Sequence, residues 1–549
     1  MHLRPPTAAR EGARRLLGRA CTEARFAATL LHARGPGAAL IPPHRLVGMA
    51  RDVLVYGPSG AAVSIASAGQ AKNVAIVDDR GQITFHELDE VVNRFANALL
   101  HLGFRSGDSI GVLARNHRGL YVAILAGAKL GARTLLLNTD FAGPQLADVC
   151  AREQVTVLVH DAEFASVAAG YDAPLGRVSA DDPDGAGLPT IESLAAGASP
   201  ATPPRPERKQ RIVLLTSGTT GSPKGAPRDL ALSLVIPGGY LSKIPLRSGR
   251  KVVLAAPGFH AWGLLSSMLA LGLGNTLVLA RRFDPNAVLD ALEAHRADAL
   301  ITVPVLLSRL LAVGDYAIRA RDLSALRIVA CSGSALPPDV ATHAMDLLGD
   351  VVYNLYGSTE VAYATIATPA DLRAAPGTVG RPPFGTTVRL LDESGRPVSG
   401  AGVAGRIFVG SSIQFEGYTG GGNKEIVDGL MSTGDIGHFD ADGRLFVDGR
   451  DDDMIVSGGE NVFPREVEEL LAAHEGIVEA AVAGVADPDF GHRLRAYVVR
   501  EPGASLDEDA VRDYVRANLA RYKVPRDVVF LDELPRNPAG KVVKRLLPE

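Results

Sequence analysis

Residues 213–228 read VLLTSGTTGSPKGAPR, an apolar run that opens into a loop of hydroxyls and glycines around one lysine. Val213, Leu214 and Leu215 have the character of a buried strand end. Beyond them Gly218, Gly221 and Gly225 can take positive φ and bring backbone N–H groups close to a ligand. Thr216, Ser217, Thr219 and Thr220 add hydroxyl donors, and Lys224 adds a positive charge. Such a loop suits a polyphosphate. It is not a Walker A loop, because that pattern needs Gly-Lys followed by Ser or Thr, and Lys224 stands between Pro223 and Gly225.

A strand feeding such a loop needs neighbours. Apolar runs at 110–113, 134–137 and 155–159 alternate with helical segments ahead of the loop, and runs at 252–255, 276–279, 300–303, 328–331 and 351–355 do so after it. The alternation predicts an α/β fold with two parallel, doubly wound sheets. Thr84 and Glu87 have capping-box spacing, and Leu88, Val91, Val92, Phe95 and Leu99 fall on one helical face that Gly103 ends. Residues 170–208, rich in Asp, Pro, Gly, Ala and Ser, predict a loop or linker. From about 376 short strands and turns, with a hairpin at LLDESGRPV, predict a β-rich subdomain. Beyond Gly449 a helix behind Pro464, β runs at 478–485 and 495–499 and a helix near 507–520 predict a small α+β domain. The expected division is a leader at 1–46, a large domain at 47–451 and a small mobile domain at 452–549.

At 549 residues, 46% hydrophobic and 21% charged, the chain has the composition of a soluble protein of two or three domains. A net charge of -4 offers no field for nucleic acid. Three widely spaced cysteines make neither a disulfide framework nor a metal-ligand pair and fit the reducing cytoplasm. Neither a secretory signal nor a peroxisomal address is expected. Residues 252–280 carry no charge, but Pro257 and four glycines break the run, so it predicts core and not a membrane span. In residues 1–35 seven arginines oppose Glu11 and Glu23, and Ala13, Leu16, Leu17, Ala20, Ala24, Ala28 and Leu31 form a weakly apolar stripe. Such a helix suits either an anionic membrane surface, giving peripheral contact, or a docked or solvated position.

The order TSGTTGSPKG resembles the phosphate-loop signature of the acyl-CoA synthetase, adenylation-domain and luciferase superfamily of adenylate-forming enzymes, and the similarity runs from about residue 50 to the C-terminus. The resemblance implies that in NLYGSTE, residues 354–360, Tyr356 packs on adenine, Gly357, Ser358 and Thr359 meet phosphate, and Glu360 is a ligand for Mg²⁺. In SGSALPP, residues 332–338, it implies that Gly333, Ser334 and Ala335 lie beside adenine and the acyl group. By the same resemblance Asp435 accepts the ribose hydroxyls, and Arg450 reaches ribose or phosphate. Asp452, within the acidic triplet 451–453 where many relatives have Lys, is then the hinge, and Gly458 and Gly459 border the pantetheine channel. Lys541 in RNPAGK resembles the adenylation lysine. The resemblance also implies that His260 lies beside the reacting carboxylate, with Trp262 and Gly263 at the acyl pocket; Trp262 reads equally well as core.

The resemblance implies a fatty acid–CoA ligase using ATP, Mg²⁺ and coenzyme A. Three alternatives stay open: delivery to a carrier protein, an aryl-acid substrate, and a non-catalytic adenylate-binding protein. An amino-acid-activating domain would usually place an aspartate where His260 stands.

Overall fold

A computed structural model describes residues 23–35, 43–181, 187–216, 224–228, 235–358, 360–410, 424–451, 455–457, 460–462, 464–487, 491–519, 523–538 and 540–548. Among these residues the strands form four sheets. The first has six strands in the order Arg177–Ser179, Val155–His160, Ser109–Leu113, Arg133–Leu136, Arg211–Thr216 and Lys224–Arg228; all pair in parallel except the last. The second has eight: Thr365–Ala367, Val352–Tyr356, Ile328–Cys331, Ala299–Thr302, Lys251–Leu254, Thr276–Leu279, Val74–Asp78 and Gly81–Thr84, antiparallel only at its two edges. Helices cover both sheets, and one core runs between them, taking in Ile110 and Val112 from the first sheet and Val252 and Ile301 from the second. This is the doubly wound α/β architecture that the alternating runs predict.

Local chemistry accounts for the elements. Thr84 Oγ1 accepts from the Glu87 N–H at 3.2 Å while the Glu87 carboxylate accepts from the Thr84 N–H at 2.8 Å, so the capping box starts the helix Phe85–His101. Leu88, Val92, Phe95 and Leu99 are buried along it, and Gly103 turns the chain away at φ 98°. The charge-free run resolves into the strand Lys251–Leu254, the helix Ala261–Gly272 and the strand Thr276–Leu279. Among the described residues no helix is long and apolar enough to cross a membrane.

A five-stranded sheet follows, with Leu430–Phe439 bonded to Gly405–Gly410, Ile426–Val427 and Leu445–Arg450. The hairpin at 390–398 forms as expected, Val398 N–H donating to the Leu390 carbonyl at 2.9 Å. The C-terminal part is a second five-stranded sheet backed by the helices Pro464–Ala472 and Glu508–Asn518. Its core of Val462, Val467, Leu471, Val482, Val498, Val511 and Val515 is its own.

The N-terminal part and one linker differ from expectation. Residues 170–208 are not all loop: Arg177–Ser179 adds an edge strand, and the helix Ile191–Ala196 starts at a box between Thr190 and Ser193. Arg94 and Asn97 fasten its exit by donating to the carbonyls of Ala198 and Ser199. The helix Pro43–Gln70, bent at Gly57 with φ 74° and ψ 173°, runs across residue 46. Residues 23–34 are a docked helix, and its buried face is Phe26, Leu30 and Ala33. Ala24, Ala28 and Leu31 are exposed, so over the described residues the apolar stripe expected in the leader is out of phase; Ala13, Leu16, Leu17 and Ala20 lie outside the described residues. Phe26, Leu30 and Ala33 offer more apolar surface to bury than Ala24, Ala28 and Leu31, which favours the observed phase. Residues 1–22 lie outside the described residues.

Candidate active site

In doubly wound sheets ligands bind in the crevice at the carboxyl ends of the strands. Lys251–Leu254, Ala299–Thr302, Ile328–Cys331 and Val352–Tyr356 are consecutive parallel neighbours. The segments leaving them carry His260, Val303, the trio Gly333, Ser334 and Ala335, and Tyr356 with Glu360. Topology alone therefore gathers residues that are distant in the chain.

Tyr356 ends its strand with its phenol aimed at the β-rich subdomain. The hydroxyl donates to Asp435 Oδ2 at 2.5 Å and lies 3.1 Å from Thr433 Oγ1. Arg450, the cross-strand partner of Asp435, places Nη1 3.8 Å from Asp435 Oδ1. Burial pushes the Asp435 carboxyl above its usual range, against the Tyr356 hydrogen bond and the charges of Arg450 and Lys541. Burial and that same carboxylate raise the Tyr356 phenol well above 10, so it stays protonated and donates. Thr433, which also accepts from the Asp435 N–H at 3.1 Å, belongs to this group although no motif marks it.

Ser358 Oγ accepts from the N–H groups of Glu360 and Val361 at 3.2 and 3.3 Å, which curls the loop after Tyr356 and buries Glu360 to 8% exposure. Gly357 has no room for a Cβ, which would meet the Ala362 carbonyl. Gly333 takes φ 102° beside Val303, and Gly333, Ser334 and Ala335 form an accessible edge.

His260 is the N-cap residue of the helix Ala261–Gly272, a place where partial positive charge favours an anion. Its ring lies 4.6 Å from that of Phe259, and Nε2 is buried without a hydrogen-bond partner among the described residues. Burial and the charge of Lys541 hold its pKa down to about 4. The imidazole is neutral at physiological pH. Because the folded value lies below the unfolded 6.5, the stability contributed by neutral His260 is complete above pH 6.5 and falls as pH drops toward about 4. His260→Gln should therefore flatten the fall of melting temperature between those pH values; an unchanged slope would show that the ring is not held neutral by the fold.

Lys541 arrives from the small domain on a built loop. Asn537 brackets it, accepting from the Lys541 N–H at 2.9 Å through Oδ1 and donating its own N–H to the Lys541 carbonyl at 2.9 Å. Arg536 donates to the Gly540 carbonyl at 2.7 Å and pairs with Glu479. Gly540, at φ 77°, sits on Val305 in the first turn of the helix Pro304–Leu311 so closely that a Cβ would overlap that side chain. The loop is thus docked on the large domain, and the charge of Lys541 acts on both His260 and Asp435.

Trp262 is 8% exposed, its Nε1–H donates to the Thr302 carbonyl at 2.9 Å, and its ring stacks on Tyr240 with centroids 6.0 Å apart. It is packed as core, in the first turn of the helix that His260 caps. Gly263 opens no space for a ligand, because the Pro257 carbonyl occupies the place of a side chain.

Ser217, Gly218, Thr219, Thr220, Gly221, Thr359, Asp452, Gly458 and Gly459 lie outside the described residues. Thr216 and Lys224 are opposite one another in an antiparallel pair, so the glycine-rich loop joins a hairpin and does not lead into a helix as a Walker A loop does.

A buried cluster away from the crevice has no sequence motif. His117 Nε2 lies 2.7 Å from Asp161 Oδ1, and His117 Nδ1 accepts from the Gly119 N–H, capping the helix Arg118–Leu130. Asp181 joins them at metal-ligating spacing, but the Arg281 guanidinium already binds Asp181 and lies 3.9 Å from Asp161. The cluster is an ionic bolt between the two large sheets.

Residues 64–419 match the family model described as AMP-binding enzyme, and residues 466–541 match that described as AMP-binding enzyme C-terminal domain. The chain belongs to the AMP-binding enzyme family. Among curated members of the family, a feruloyl-CoA synthase from an Amycolatopsis species is 35% identical over 84% of this chain and 92% of its own. An indoleacetate–CoA ligase from Aromatoleum aromaticum is 33% identical over 84% and 92%. Among solved structures, ATP-bound MatB from Rhodopseudomonas palustris superimposes with a TM-score of 0.78 at 29% identity, over 89% of this chain and 98% of the other. The AMP-binding family models leave residues 1–63 uncovered.

Proposed function

We propose that this AMP-binding enzyme is an ATP-dependent acid–CoA ligase whose substrate is an aromatic carboxylic acid. The observation that carries the ligase reading is the docked Lys541, whose charge reaches the neutral imidazole of His260 on one side and the carboxylate of Asp435 on the other. The fatty-acid class expected from sequence gives way to the aryl-acid alternative, because the feruloyl-CoA synthase and the indoleacetate–CoA ligase similar to this chain act on aromatic acids. A non-catalytic role is disfavoured by the built Lys541 loop, since a binding protein has no need of a lysine there.

Asp435 accepts the ribose hydroxyls of ATP with Arg450 beside it, and Tyr356 flanks adenine. Glu360, a shielded carboxylate on a loop of hydroxyls, is a hard oxygen donor of the kind that shares Mg²⁺ with substrate phosphates. The metal, when bound, supplies charge neutralisation on the triphosphate. The carboxylate of the acid is already ionised near neutral pH and needs no base. It rests at the N-terminus of the helix Ala261–Gly272, where His260 in its Nε2–H form donates to it. Lys541 then offsets the repulsion between this carboxylate and the α-phosphate, so the acid displaces pyrophosphate and forms the acyl-adenylate.

In the second half the thiol of coenzyme A, entering along Gly458 and Gly459, attacks the acyl carbonyl of the adenylate, and AMP leaves as the thioester forms. One small domain supplies Lys541 first and this channel second, so it rotates as a body about Asp452. Support for a large-domain boundary at 451 comes from Asp451, whose N–H donates to the Gly434 carbonyl at 2.9 Å and whose carboxylate pairs with Arg406 at 3.0 Å.

Pyrophosphate release from ATP across a panel of aryl, fatty and amino acids, each with and without coenzyme A, tests this reading. Aryl acids should give the highest kcat/KM, with acyl-CoA formed only when coenzyme A is present. A preference for fatty or amino acids, or no acid-dependent release, would overturn it.

A further inference from the structure

The docked helix 23–34 lies ahead of the family model, which begins at residue 64. It is fastened at both ends to the two helices that stand behind the acid side of the crevice. At its start Phe26, 1% exposed, fills the place of the side chain that Gly238 lacks; a Cβ on Gly238 would overlap the ring. The same ring meets Phe384 edge-on at 5.7 Å, and the Arg25 guanidinium lies 4.0 Å over the Phe384 ring. At its end Arg34 Nη2 donates to the Gly272 carbonyl at 2.9 Å, on the last residue of the helix that His260 caps. Arg247 donates to the His32 carbonyl at 3.0 Å and the Ser248 N–H to the Ala33 carbonyl at 2.9 Å, just past the helix Val235–Lys243.

These two helices meet through aromatic side chains. Tyr240, fully buried on Val235–Lys243, stacks on Trp262 of Ala261–Gly272. Gly239 has no room for a Cβ because the Tyr363 hydroxyl lies there, and Tyr363 follows Glu360 by three residues on the loop after Tyr356. A continuous line of contact therefore runs from Phe26 through Gly238 and Gly239 to Tyr240, Trp262 and Tyr363. Packed interiors transmit displacement along such lines because they hold few voids.

We propose that the helix 23–34 is a strap that sets the width of the acid-binding side of the crevice, with Phe26 as its positioning residue. The proposal deepens the aryl-acid reading and rests on it. Phe26 touches neither substrate; it fixes how deep the helix Val235–Lys243 sits and, through the buried Tyr240–Trp262 stack, where the first turn of Ala261–Gly272 holds His260. Loss of the ring lets that helix settle outward and widens the slot for a planar ring. Tyr356, Asp435 and Arg450 are tied to one another by the Tyr356–Asp435 hydrogen bond and the strand pairing of Asp435 with Arg450, so the nucleotide side moves less than the acid side.

The test uses full-length Phe26→Ala and wild type, with KM and kcat of pyrophosphate release measured for aryl acids of increasing ring size and KM measured for ATP. A small displacement distant from the chemistry can cost up to about 10²-fold, and here KM for the best wild-type acid should rise about tenfold. The ranking should move toward bulkier acids, and KM for ATP should stay within about twofold. Phe26→Leu, a smaller loss of volume, should move the ranking and the acid KM in the same direction by a smaller factor, and it is the variant to read if Phe26→Ala is not recovered folded. An active wild type whose acid ranking and acid KM survive either substitution, with only a lowered melting temperature, would overturn the strap and leave the ligase reading standing. A wild type that releases pyrophosphate with no acid would overturn both.

Discussion

Lys541→Ala is expected to slow adenylation roughly a thousandfold while transfer from supplied acyl-adenylate to coenzyme A stays within a few-fold of wild type. A positive charge about 4 Å from a forming bond between anions is worth about 4 kcal/mol at an effective dielectric of about 20. Each ~1.4 kcal/mol on a barrier is about tenfold in rate. The loop should persist without the side chain, because its frame is made by Asn537, Arg536 and Glu479 and by the backbone of Gly540 on Val305. Acid-dependent exchange of pyrophosphate into ATP reads the first half, and thioester formation from acyl-adenylate reads the second. Equal loss in both halves would show that Lys541 is structural. A companion readout is the His260 ring, whose depressed pKa should move back upward in the variant, since Lys541 is one of its two causes.

Asp435→Ala should raise KM for ATP about a hundredfold, because hydrogen bonds to a charged group contribute about 1.5–3 kcal/mol each and two ribose hydroxyls are at stake. Stability should move the other way or not at all. A carboxyl whose folded pKa is raised gives stability that is present below its unfolded value and lost as pH climbs through the folded one, so at neutral pH the buried ionised group is a burden. Asp435→Asn, which removes that burden while keeping the shape, should melt no lower than wild type at pH 7 and still bind ATP poorly. Its partner Arg450 is 39% exposed in its side chain and can turn to water, so no stranded charge confuses the result. A variant that loses melting temperature but keeps its KM would mark Asp435 as a fold residue.

Much of this was legible in the sequence, for physical reasons that differ from place to place. Strand runs such as 328–331 and the box at Thr84 and Glu87 are local, and local chemistry decided them. The grouping of His260, Gly333 and Tyr356 was legible only through resemblance, although the topology that unites them follows from strand order. Residues whose partners are distant stayed hidden: Thr433 meets Tyr356 across 77 positions, and Arg281 reaches Asp181 across 100. The part of the leader described, residues 23–34, was legible as a helix but not in phase, because Phe26 in its glycine socket outweighs Ala24, Ala28 and Leu31, and Gly238 lies more than two hundred residues away. Trp262 reads as pocket or core from its neighbours alone, and only its hydrogen bond to Thr302 and its stack on Tyr240 decide for core.

The two hydrophobic cores bear on how the enzyme can move at all. The small domain buries Val462, Val467, Leu471, Val482, Val498, Val511 and Val515 among themselves, and the core shared by the two large sheets is complete without them. On the proposed rotation of the small domain, neither of these two cores opens to water, and each body keeps its own melting behaviour. In a scanning calorimeter such a chain should absorb heat in two separable steps, the lesser one belonging to residues beyond 455. Ligands that span both bodies would draw those steps together, which turns the spacing between two heat peaks into a gauge of how firmly the crevice is shut.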